Sequence, residues 1–226
     1  MPNRLTGTSA QALPSLDPRI APDHGDYPVL AAIVEVLLTA AEGSANLQRI
    51  VGGIIRDCID RVIQTPKTAR LLYSDLQNSE KTYIGTAVEI DLRSSLALKR
   101  GTGLDLSIAG YDVDVKFSQA YGWALPPEVV DKPCILLSGN DKRALFSMGV
   151  VVARRQYLNE GQNRDGKRTL RAADRVNIWR LARHVGYPPK FWHTVDQEVI
   201  VKIAQGRSGN ERMIDGTKRS KLTRSV

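Results

Sequence analysis

Cysteine is nearly absent from this 226-residue sequence: Cys58 and Cys134 stand alone and far apart. Neither shows the paired spacing of a structural zinc site or a disulfide framework, so a reducing compartment suits the chain. Histidine is equally scarce. His24, His184 and His193 are scattered, and no Ser/His/Asp or Cys/His arrangement marks a nucleophile-based hydrolase. Long apolar runs are missing too: the longest, Val29 to Ala41, contains Glu35 and is too short to cross a bilayer. The N-terminal stretch MPNRLTGTSAQALPSLDPRIAPDHGDYP has no continuous apolar segment after a basic start, so it does not read as a secretion signal. Gly101-Thr102-Gly103 is followed by no Gly-Lys-Ser/Thr and opens no helix, which excludes a phosphate-binding loop. These absences lead to the expectation of a soluble protein of the cytoplasm with no membrane partner.

What the sequence does contain is positive charge and a core. There are 32 Lys and Arg against 24 Asp and Glu, a net charge of +8, which favours a polyanionic partner such as nucleic acid. A hydrophobic content of 42% suffices for one substantial packed domain. Residues 1–27, with Pro2, Pro14, Pro18 and Pro22, read as a flexible arm. Residues 28–181 read as the folded domain, and 182–226 as a short helical extension with a basic tail.

Periodicity sets the expected elements. Val29 to Ala41 fits a buried helix. After Ser44 a second helix is expected to Ile63, with Leu47, Ile50, Val51, Ile54, Ile55, Cys58, Ile59 and Val62 on one apolar face. Ser79 to Leu96 looks helical again and delivers Glu89. The period then changes to two: Leu104 to Ile108 and Tyr111 to Phe117 alternate around Ala109-Gly110, the pattern of a hairpin. Cys134 to Leu137 and Met148 to Ala153 are nearly all apolar, as in strands covered on both faces. Helices are expected at Ala172 to Val185 and near Asp196 to Ala204. The fold class is α/β, a central mixed sheet flanked by helices.

In an alternating strand, residues two apart share a face, so Asp105 and Ser107 lie together, as do Asp112, Asp114, Lys116 and Ser118. If both strands turn their apolar sets to one core, two carboxylates and an ammonium meet on the opposite face. Phosphodiester hydrolysis uses such a set: a hard divalent cation prefers oxygen ligands and takes one or two carboxylates, keeping room for water and phosphate. A lysine beside it adds positive charge near the attacking water. Asp112, at the start of its strand, reads as a solvated aspartate outside this set.

Gly103-Leu104-Asp105 followed by Tyr111-Asp112-Val113-Asp114-Val115-Lys116-Phe117-Ser118, with Thr86 and Glu89 upstream, resembles the catalytic region of the NaeI-type restriction endonucleases, members of the PD-(D/E)xK nuclease superfamily. The similarity extends through Trp123-Ala124-Leu125-Pro126 and Asn159-Glu160-Gly161, covering roughly residues 29–180. The resemblance implies a restriction-endonuclease-like fold and a metal site of Glu89, Asp105 and Asp114, with Lys116 positioning the nucleophilic water. It implies Asp105 and Asp114 as direct ligands, Glu89 as a ligand through water or an orienting base, and the Val115 carbonyl facing the ion. Mg²⁺ is the implied cofactor, with Mn²⁺ as substitute. Such enzymes also carry a winged-helix-like domain for a second DNA site, and the segment from about Leu181 to Val226 is short for one, so two-site activation is not expected here.

Basic residues crowd the stretch after the last core strand: Arg154, Arg155, Arg164, Lys167, Arg168 and Arg171, with Arg175 beyond. They are the candidate phosphate contacts, and Gln162 and Asn163 candidates for reading base edges. The leading expectation is sequence-specific cleavage of double-stranded DNA by a homodimer. A strand nickase and a non-catalytic DNA-binding protein with a degenerate nuclease fold are the alternatives.

Overall fold

The computed structural model describes residues 20–189 apart from Ala69, Leu71, Gln162, Asn163 and the side chain of Pro66. The helix expected near Asp196 to Ala204, His193, most of the proline-rich arm and the basic tail lie outside the described residues.

Helices come first in the chain: α1 (Tyr27–Ala40), α2 (Ser44–Ile63), the single turn α3 (Thr65–Thr68) and α4 (Asn78–Ser95). Leu30, Ile33, Val34 and Leu37 of α1 recur at three- and four-residue steps and are all fully buried. The apolar face expected for α2 packs into the same core, fully except for Ile50 and Val62, which are partly buried at its margin. At the start of α4 the Glu80 carboxylate accepts the Gln77 N–H at 2.9 Å, occupying one of the donors that a helix leaves unpaired in its first turn. Among the described residues no single helix is long and apolar enough to cross a membrane.

Six strands follow: β1 (Lys99–Arg100), β2 (Leu106–Ile108), β3 (Tyr111–Ser118), β4 (Pro133–Asn140), β5 (Leu145–Val152) and β6 (Trp179–Gly186). They lie side by side in chain order, every neighbouring pair antiparallel except β3 and β4. The sheet is mixed and the class is α/β, as the patterning predicts. Its two faces differ. Val113, Val115, Ile135, Leu137, Phe146, Met148, Val150 and Trp179 join α1, α2 and α4 in one core. Cys134, Leu136 and Val151 point the other way, into a smaller cluster closed by Trp123, Leu125, Val129, Leu158, Leu170 and Ile178 from irregular segments. The indole N–H of Trp123 donates to the Leu137 carbonyl at 2.7 Å, which ties this cover to the sheet.

One element differs from expectation in kind. Ala172 to Val185 is not a helix: after a 3₁₀ turn at Ala173–Asn177 the chain becomes β6, antiparallel to β5. The register between β5 and β6 shifts twice, and a bulge of this sort sets consecutive residues on one side of a strand. Leu181 and Ala182 are both buried in the helix-side core together with Trp179. A spacing of 179, 181, 182 and 185 copies the steps of a helix, which is why strand and helix cannot be told apart from it.

Candidate active site

The hairpin carrying the acidic residues is unequal. Register Leu106↔Val113 is the last pair of β2 with β3, whereas β3 runs on to Ser118. From Asp114 onward, the side of β3 away from β4 is therefore a free edge, and free edges present unpaired N–H and C=O groups. Asp105 was expected inside the strand but sits in the bend just before β2. The bend is forced tight: a Cβ on Gly101 would lie 2.4 Å from the Leu104 carbonyl oxygen. Asp112 holds the same bend, accepting from Thr102 N at 3.1 Å, Thr102 Oγ1 at 3.0 Å and Gly103 N at 3.0 Å. Those hydrogen bonds hold its carboxyl below the ordinary range. Asp112 thus pins the loop instead of simply staying solvated.

On this edge the implied site residues meet. Asp105 Oδ2 accepts the Val115 N–H at 2.8 Å. The Lys116 ammonium reaches Asp114 Oδ1 at 2.8 Å, Asp114 Oδ2 at 2.7 Å and the Val115 carbonyl at 3.3 Å. Asp114 is 4% exposed. Cys134, its register partner on β4, lies behind it with Sγ 3.6 Å from Oδ2. Across the edge, α4 turns Thr82, Gly85, Thr86 and Glu89 toward Lys116, one helical stripe at steps of three and four. Gly122, Ala124 and Lys167 form the opposite wall of the cleft, whose volume is about 490 Å³. Thr82 joins Thr86 and Glu89 on this stripe, and its four-residue step from Thr86 is the sequence signal that marks it.

The electrostatics show what this gathering costs. Burial, and then the neighbouring charge of Asp105, push the Glu89 carboxyl above its usual range, against Lys116. Burial also raises Asp114, with Asp105 adding to the effect and the contact with Lys116 opposing it. For Lys116 burial acts downward, yet the bond to Asp114 and its charge outweigh it and the ammonium is held above the lysine range. Three carboxylates thus repel one another around a single ammonium. As they stand, no three acidic, histidine or cysteine side chains among the described residues are close enough together to hold an ion. Lys116 covers both Asp114 oxygens and the Val115 carbonyl, while Asp105 is turned to a backbone N–H. The donor set is nonetheless all oxygen and over-negative, the chemistry a hard divalent cation matches.

The basic residues are dispersed. Lys167 joins the cleft. Arg154 is bound to Asp26 Oδ1 at 2.9 and 2.6 Å, so it fastens the start of α1. Arg168 lies in a β-bridge with Leu125, Arg171 pairs with Asp174 at 2.6 Å, and Arg175 donates to the Tyr121 carbonyl at 2.8 Å. Arg155 and Arg164 are exposed, and Gln162 and Asn163 lie outside the described residues.

Residues 43–224 match the family described as "Restriction endonuclease NaeI". Over 163 residues, 66% of this chain, the sequence is 32% identical to the type II restriction enzyme NaeI of Lentzea aerocolonigenes. The match covers 51% of that relative, so the chain spans about half its length. With residues 43–224, most of this chain, matching that family, the chain belongs to the NaeI restriction endonuclease family.

Proposed function

We infer that this protein is a Mg²⁺-dependent endonuclease that hydrolyses phosphodiester bonds in double-stranded DNA, cutting both strands of a specific sequence as a homodimer. One observation carries the reading: Glu89, Asp105 and Asp114, from three separate elements, converge with Lys116 and the Val115 carbonyl at the open edge of β3. Membership of a restriction endonuclease family supports it, as does the net charge of +8.

Asp105, Asp114 and the Val115 carbonyl would hold the ion, with Glu89 joining through water, and Mn²⁺ would substitute. When bound, Mg²⁺ supplies the charge that polarises the scissile phosphate and stabilises the leaving oxygen. The remaining chemistry belongs to the chain. Lys116 Nζ orients the attacking water and offsets the phosphate charge from a side chain of limited mobility. Glu89, whose carboxyl is already held toward its protonated form, is a carboxylate suited to accept the proton that the water releases. Lys167, Arg155 and Arg164 are the basic residues placed to meet phosphates along the duplex. Arg154, Arg168 and Arg171 are assigned to the frame of that surface.

The test is supercoiled plasmid incubated with Mg²⁺ and, in parallel, Mn²⁺, comparing wild type with Asp114→Ala and Lys116→Ala. Linear product from wild type alone supports the reading. Nicked circles without linear product would replace it with single-strand cutting. Intact plasmid in every condition, modified DNA included, would favour a non-catalytic DNA-binding role. Sedimentation with a bound duplex checks the dimer.

A further inference from the structure

The polar face of β3 does not end at Lys116. Two residues on, Ser118 pairs with Ser138 of β4, and Ser138 pairs with Ser147 of β5, so three hydroxyls form a row across three strands on the catalytic face. At the end of the row Ser147 Oγ accepts the His184 N–H at 3.0 Å and meets Tyr121 Oη at 3.0 Å, and Tyr121 Oη lies 2.7 Å from His184 Nε2. Arg175 holds Tyr121 in turn, with its guanidinium 5.9 Å from the ring centre. A cleft of about 230 Å³ opens at the Ser138 and Ser147 end of this row, and Gln119, Arg143 and His184 line it.

Three observations point to a ligand there. His184 has φ +52°, a left-handed conformation uncommon for a residue with a side chain, although histidine is among those that adopt it more readily. The bulged register of β5 and β6 aims this residue, whose Nε2 is engaged while Nδ1 has no partner among the described residues. Gln119 Oε1 accepts from Asp141 N at 3.1 Å, yet its Nε2 is buried without a hydrogen bond among the described residues, and such donors are rare without a reason.

We propose that this cleft reads base edges of the DNA substrate, with His184 and Arg143 as the reading side chains and Gln119, Ser147, Tyr121 and Arg175 as the frame behind them. The proposal rests on the nuclease reading and names its specificity-determining residues. Two strand residues along and two strands across put Ser147 roughly 12 Å from Lys116 by standard sheet spacings. At about 3.4 Å per base pair, that is three steps or so from the cut phosphate. The cleft is smaller than pockets that enclose a small molecule, which start at roughly 300 Å³. Its exposed chemistry is one guanidinium and one imidazole, the former a type that pairs with guanine edges, and a single cation is a poor phosphate clamp.

The experiment selects sequences from randomised duplexes bound by the full chain in Ca²⁺, so that no cleavage is needed. Wild type is compared with Arg143→Ala, His184→Ala and His184→Asn. Asparagine tolerates the left-handed backbone, which keeps one variant folded. The expected result is a preferred sequence for wild type and loss of preference, roughly tenfold or more in relative affinity, at one or two adjacent positions in the variants. Unchanged preferences overturn the proposal, as does a wild type without any preference. So does a uniform loss across all sequences with a weaker salt dependence, the mark of phosphate contacts. Plasmid cleavage decides the underlying nuclease reading separately. There metal-dependent cutting by wild type that Asp114→Ala has lost supports the nuclease reading, and its absence overturns that reading whatever the binding preferences show.

Discussion

Two buried ion pairs in this molecule have opposite characters. Arg56, on α2, donates to Asp60 Oδ2 at 2.8 Å, Asp60 Oδ1 at 2.7 Å and Asp141 Oδ1 at 3.0 Å, and its guanidinium lies 5.7 Å from the centre of the Tyr187 ring. Side-chain exposures of 5% for Arg56 and 6% for Asp141 place that contact in the interior, where it locks α2 to the turn between β4 and β5. Asp114 is equally buried, but its one cation is Lys116, itself 27% exposed, and Asp105 adds a like charge beside it. A buried charge with complementary partners fastens elements together. A buried carboxylate crowded by another carboxylate keeps its burial cost, and sites that bind ions are built in that way.

The sharpest separation is expected from Asp114→Asn. Loss of metal-dependent DNA cleavage by roughly 10³-fold follows if several kcal/mol of transition-state stabilisation depend on this carboxylate. The metal-free melting temperature is expected to stay level or rise, because the repulsion with Asp105 and Glu89 is removed. A protein that instead unfolds, or cuts as before, breaks the contrast.

Arg56→Ala is expected to act the other way. Removing one partner of this buried pair costs about 3–5 kcal/mol, so the melting temperature falls by roughly 10 °C, while cleavage per folded molecule persists well below the transition. Thermal denaturation beside a cleavage assay at low temperature reads both.

A smaller effect comes from pH. Carboxyl groups raised in the folded state bind protons more tightly there than in the unfolded chain. The stability they contribute is therefore complete below the ordinary carboxylate range and is lost as pH rises through the folded values. Metal-free wild type is expected to lose stability relative to Asp114→Asn as pH climbs from about 4 toward neutrality. Added Mg²⁺ is expected to close the gap. Parallel melts at stepped pH would reveal the absence of such a divergence.

The smallest effect belongs to Arg61→Ala. The Arg61 and Asp91 pair is 2.8 Å long, similar to the buried contacts, but its side chains are 46% and 25% exposed. Solvent screening leaves it about 0.5 kcal/mol, and urea titration is expected to move hardly at all. A loss as large as that of Arg56→Ala would show that distance, not burial, governs these pairs.

Much of the candidate site is legible in the sequence. Period-two alternation placed Asp112, Asp114, Lys116 and Ser118 on one face, and β3 carries them so. Apolar steps of three and four placed α2 in the core. Other features depend on distant partners. That β2 begins only at Leu106 and leaves the edge of β3 exposed follows from the tight approach of Gly101 to Leu104 and the grip of Asp112 on the bend. That Arg154 serves the frame depends on Asp26, and that β6 is a strand depends on β5 and a bulge.

Local chemistry therefore determined which residues bear charge, which face each strand segment offers and which helix stripe seeks the core, since these depend only on residue type and backbone period. Tertiary structure alone decided where a strand loses its neighbour, how Glu89 comes within reach of Lys116, and which of the clustered arginines are already engaged. Those outcomes are set by contacts between residues tens of positions apart, and the spacing of residues along a chain carries no record of them.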